Sequence, residues 1–159
     1  MEPKPEFKSE KENFSRINKE LYALKEVYDK CAYTLENEGG YSKWSLEELT
    51  NFYYKLENSL IGYNIISKKV PKILKESEAP PELIEGFDRM EAFLESQLMS
   101  LVATTFFRNP SHNLVRTFKG SLWNDKIKNK EYYNHLFDWI IINKKGKEIF
   151  YNFLQNNKL

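Results

Sequence analysis

Apolar residues return at alternating steps of three and four along the first part of the chain. Phe14, Ile17, Leu21, Leu24, Tyr28, Cys31 and Leu35 form a heptad seam over three repeats. An α-helix with one apolar face presents such a spacing as a stripe, whereas a strand would scatter it over both faces. Gly39-Gly40 follows and supplies a left-handed stop. A second run, Leu46, Leu49, Phe52, Tyr53, Leu56, Leu60 and Tyr63, has the same period. It starts at Ser45-Leu46-Glu47-Glu48, a capping box in which the serine hydroxyl and the glutamate satisfy early amides. This helix can run on through Ile66 to Val70, where Pro71 ends or kinks it.

Ala79-Pro80-Pro81 is a hard break, and Pro81 suits the first turn of the next helix. Leu83, Phe87, Met90, Leu94, Leu98, Leu101 and Thr105 mark the buried face of that helix, which should end near Arg108, before Pro110. Ser111 to Lys119 predicts a short helix closed by Gly120. Residues 121–128 fit no single element. Glu131 to Asn143 reads as one amphipathic helix through Tyr132, Leu136, Phe137, Trp139 and Ile140, with a kink or break at Gly146. Ile149, Phe150, Phe153 and Leu154 form a last apolar stripe.

Strand-type alternation is hard to find, so the expected fold is all-α. It is an irregular helical bundle of about five to six helices, three long and two or three short. A flexible polar tail over residues 1–10 precedes one helical domain over residues 11–159. A chain of 159 residues is long enough for a core of its own. Leu24, Leu56, Leu94, Leu98 and Leu101 are the expected centre of that core.

The function classes narrow by exclusion. A single cysteine, Cys31, makes no internal disulfide, and its seam position suits an inert core thiol. His112 and His135 stand in no metal-binding spacing, so neither a metal nor another cofactor is expected. No P-loop, dinucleotide-binding glycine motif or serine-nucleophile motif occurs. The opening MEPKPEFKSEKEN is polar and lacks the apolar stretch of a secretory signal. The longest apolar run is four residues, far short of a membrane span. A cytoplasmic protein without membrane attachment is the expectation.

The sharpest catalytic candidate is Arg108-Asn109-Pro110-Ser111-His112. It resembles the Arg-Asn…His signature of HEPN ribonucleases. That resemblance implies a helical, metal-independent ribonuclease in which Arg108 and His112 act on RNA. The spacing here is shorter than in that family, and Pro110 interrupts the helix that would present both side chains. The structural alternative has Arg108 serving the last carbonyls of one helix and Ser111 capping the next.

Charge is unevenly distributed. Residues 1–100 carry 14 Lys and Arg against 19 Asp and Glu, a net −5, whereas residues 101–159 carry 10 against 4, a net +6. Arg108, Arg116, Lys119, Lys126, Lys128 and Lys130 fall in one 23-residue stretch with Asp125 as its only acid. Phe118 and Trp123 lie among them. Cations beside stackable rings can meet phosphates and bases, and an acidic protein surface would suit the same charges. The expected function is a non-enzymatic binding or regulatory module, such as a small accessory subunit or inhibitor. Its site would be Arg108, Arg116, Lys119, Trp123, Lys126, Lys128 and Lys130; the six cations should be mostly exposed and form one positive patch, while Trp123 is either a stacking platform or core. A protein or nucleic acid would be the partner. The seam of residues 14–35 offers a third role, self-association into a homo-oligomer, if nothing in the same chain covers it.

Overall fold

The computed structural model describes residues 10–67, 81–137 and 139–156. Within them the regular structure is helical throughout. In chain order it comprises α1 (Glu10–Glu38), α2 (Leu46–Ile66), α3 (Pro81–Arg108), α4 (Asn113–Lys119), α5 (Leu122–Ile127), α6 (Lys130–Phe137) and α7 (Lys144–Gln155). The fold is the all-α bundle that the periodicity predicts, with three long helices. The short ones number four among the described residues, one or two more than expected. The N-terminal tail and the breaks at Pro71 and Ala79-Pro80 lie outside the described residues.

The first two helices obey local rules. Gly39 and Gly40 stop α1 with φ of 73° and 134°, a region that side chains disfavour. Gly40 has a steric reason as well, since a Cβ there would sit 2.8 Å from Cγ2 of Ile141. The capping box at α2 forms in full: Ser45 Oγ accepts from the Glu48 amide, and Glu48 Oε1 accepts from the Ser45 amide, both at 3.1 Å. Ile17, Leu24 and Cys31 of the α1 seam are buried, with Leu21 and Tyr28 packed beside them. From Ile17 to Cys31 the seam is thus covered within the chain, mainly by α2, and Tyr28 meets Phe93 of α3 edge-on.

The long helix α3 is the central pillar, packing against α1, α2, α4 and α6. Leu94, Leu98, Leu101 and Thr105 are buried as the spacing predicts, and Met90 is half-buried; the side chains of Leu83 and Phe87 fall outside the described set. The expectation of a single buried face is too narrow, however. Every residue from Leu94 to Ala103 is buried, Glu95, Ser96, Gln97 and Ser100 included. Over this stretch the neighbouring helices leave α3 no solvent face, so its polar side chains there must find partners inside.

Those partners reshape the C-terminal third. Ser100 Oγ accepts from the Ile141 amide at 2.9 Å, and Gln97 Nε2 donates to the Trp139 carbonyl at 3.1 Å. Two backbone groups that a continuous helix over residues 131–143 would use internally are thereby drawn to α3. The helix ends at Phe137 instead of Asn143. Asn143 then caps α7, its Oδ1 accepting from the Gly146 amide at 2.7 Å, so Gly146 lies in a first turn and breaks nothing. The ambiguous stretch after Gly120 becomes α5, because Ser121 caps it by accepting from the Asn124 amide.

Candidate functional site

Arg108 ends α3, and its guanidinium reaches the loop between α1 and α2. It donates to the carbonyl oxygens of Trp44 and Ser42 and, at 3.4 Å, to that of Tyr41. The helix end it serves is therefore not its own. A planar five-donor head matches a loop whose carbonyls converge, and charge-assisted bonds are the stronger kind. The loop is fixed from inside too. Tyr41 and Trp44 are buried with their rings edge-on 5.0 Å apart, and the Tyr41 hydroxyl donates to Gln97 Oε1 at 2.8 Å. His112, rather than Ser111, caps α4: its Nδ1 accepts from the Leu114 amide at 3.1 Å. Asn109 Oδ1 takes the Ser111 amide. Both members of the Arg–His pair thus bond to main chain.

The basic stretch divides. Arg116 and Lys130 are exposed, as is Lys128, which stands 3.7 Å from Asp125. Lys119 is buried instead of exposed. Its stem lies in the core and its ammonium sits 4.2 Å from the centre of the Phe153 ring. Burial, followed by the charge of Lys128, lowers its pKa. Lys126 Nζ pairs with Glu95 Oε1 at 2.7 Å and stands over the Tyr132 ring. Trp123 is half-buried, and its indole N–H donates to Glu57 Oε2 at 3.2 Å. The same Glu57 oxygen accepts from the Tyr53 hydroxyl at 2.9 Å.

The structure therefore brings together Trp123 and Lys126 of α5 with Glu57 of α2 and Glu95 of α3. Both carboxylates come from the acidic part of the chain, and the Glu95–Lys126 pair neutralises part of its charge asymmetry internally. In this arrangement burial, outweighing the attraction of Lys126, pushes the Glu95 carboxyl up to about 7. Sequence reasoning passed over both acids because each resembles an ordinary helix carboxylate. A signal was available for Glu95, which is the only charged residue between Glu91 and Arg108.

Between α2 and α5 lies an open cleft of about 560 Å³. Ile61, Ile65, Leu122 and Trp123 give it an apolar lining, and Glu57 and Lys126 also face it. Leu122 is 83% exposed and Ile65 61%. These residues lie off the buried stripe of α2 and in the stretch that fits no element, which is why the periodicity did not single them out.

Cys31 is fully buried, and burial pushes its thiol up to about 12, so it remains protonated and unreactive at neutral pH. Among the described residues no group of three His, Cys, Asp or Glu side chains could hold a metal ion, and no helix is long and apolar enough to cross a membrane. No protein-family model, curated protein or solved structure matches the chain.

Proposed function

We propose that the protein is a non-enzymatic binding module. It engages an acidic protein segment with apolar anchors through the α2–α5 cleft and the cations around α5. The cleft is the observation that carries this reading. Exposed Leu122, Ile65 and Ile61 offer area whose burial is worth about 25 cal/mol per Å², and Lys126 beside them, with Lys128 and Lys130 following in the chain, favours an acidic partner. Nucleic acid fits less well, because Trp123 is half-buried with its indole N–H bonded to Glu57, which leaves less of its ring for stacking on a base. A ribonuclease centred on Arg108 and His112 is disfavoured by the bonds that both already make to main chain.

The test is capture from native lysate with the full chain as bait, compared with Leu122→Asp and with the triple exchange of Lys126, Lys128 and Lys130 to Glu. Capture lost in both variants and indifferent to nuclease supports the reading. Capture abolished by nuclease points to nucleic acid. Capture unchanged in Leu122→Asp removes the cleft from the function.

A further inference from the structure

We propose that Glu95 and Lys126 form a proton-operated latch, which decides whether the Lys126 ammonium is held against α3 or released to the rim of the α2–α5 cleft. The two ends of this ion pair occupy different media. The Glu95 side chain is 4% exposed, while that of Lys126 is 44% exposed. Glu95 Oε1 receives the ammonium at 2.7 Å. Glu95 Oε2 is buried and accepts no hydrogen bond among the described residues. Beside the pair is a cavity of about 10 Å³, reached by Glu95, Phe118, Trp123, Lys126 and Tyr132, which is at most the size of one water molecule. A carboxylate with one oxygen unsolvated is costly to keep ionised, and a proton on that oxygen removes the cost. The Lys126 side chain, in contrast, lies partly in solvent, so its ammonium can be hydrated on letting go and loses less than the carboxylate.

The groups around Glu95 set the balance. Glu91, one turn earlier on α3, adds a like charge that favours protonation, and Lys126 from α5 opposes it. From α6, Tyr132 presents its ring 4.9 Å from the ammonium; from α4, Phe118 contributes only apolar surface. On α2, the Glu57 carboxylate is held by the Trp123 indole and the Tyr53 hydroxyl. The resulting midpoint of about 7 places the latch at neutral pH. Above it the pair is closed and the cleft rim has lost a cation; below it Lys126 is available to an acidic partner. That last consequence alone rests on the binding function proposed above. The latch itself belongs to the free chain.

The experiment is a carbon-13 NMR titration of the full chain without partner, from about pH 4 to about pH 9, following Glu carboxyl and Lys Cε signals. Glu95 is assigned by the signal that disappears in Glu95→Gln. The expected result is a Glu95 midpoint near 7 instead of the ordinary 4.5, with the Lys126 signal moving at the same midpoint. Glu91→Gln should lower that midpoint, and Lys126→Met should raise it. In Glu95→Gln the Lys126 signal should stay at its low-pH position throughout. If that variant does not fold, Glu95 is assigned through its connectivity to the backbone, and the rise in Lys126→Met decides the matter. A Glu95 that titrates with the bulk carboxylates, or whose midpoint ignores Lys126→Met, overturns the latch. Because no partner is present, failure here leaves the binding proposal standing, and failure of lysate capture leaves the latch standing.

Discussion

The middle of α3 and the short helix α5 face each other across one ion pair, yet they are built on opposite terms. From Leu94 to Ala103 the pillar is buried on every side, and its polar side chains hold neighbouring backbone in place. In α5 only Asn124 is fully buried among the side chains described, while Leu122 projects into solvent at one edge of a cleft. One segment organises the fold, and the other is an edge that the fold leaves available. The contrast teaches that the basic third is not one surface. Arg108 and Lys119 belong with the organising part, Arg116, Lys128 and Lys130 with the available part, and Lys126 joins the two.

Four measurements break or sharpen this contrast. The largest effect is expected for Leu98→Ala, which truncates a 1%-exposed leucine of the pillar and should cost about 2–5 kcal/mol. Leu122→Ala should change stability by less than about 0.5 kcal/mol. Chemical denaturation measures both, and equal costs would erase the distinction between the segments.

Next comes the pH dependence carried by Glu95. Its carboxyl is raised from 4.5 to about 7 in the folded chain, so between those values the native state holds a proton that the unfolded state has released. Its contribution to stability is complete below about pH 4.5 and is lost as pH rises through about 7. The stability of wild type relative to Glu95→Gln should therefore fall by roughly 2–3 kcal/mol between these limits. A difference that is flat with pH would show that Glu95 is as well solvated as a surface acid.

Arg108→Gln should destabilise by about 1–3 kcal/mol, the range for hydrogen bonds made by a charged donor. It should also speed hydrogen exchange in the 39–45 loop. If stability and exchange stay unchanged while binding or RNA cleavage is lost, Arg108 belongs to a site and not to the frame.

The smallest effect is at the cap of α2. Ser45→Ala should cost about 1 kcal/mol in thermal or chemical melts, with no effect on capture through the cleft.

The sequence by itself determined what depends on near neighbours. Heptad spacing, the Ser45–Glu48 box, the Gly39-Gly40 stop and Pro81 specify three long helices, because caps, turns and amphipathic faces act within a few residues. The five leucines assigned to the core, Leu24, Leu56, Leu94, Leu98 and Leu101, are all buried for the same reason. The tertiary structure decided what depends on groups distant in the chain. Helical pattern continued through Trp139 and Ile140, but Gln97 and Ser100, about forty residues away, took the backbone there and ended the helix. Lys119 carries the same charge as Lys128 and reads alike in sequence, yet Lys119 is buried against Phe153 while Lys128 stays exposed beside Asp125. Glu95 differs from a solvated helix carboxylate only in the four helices packed around α3. Periodicity reports which face of a helix is apolar; which polar atoms meet across the core, and which edge stays open, is set by packing between segments that no local pattern connects.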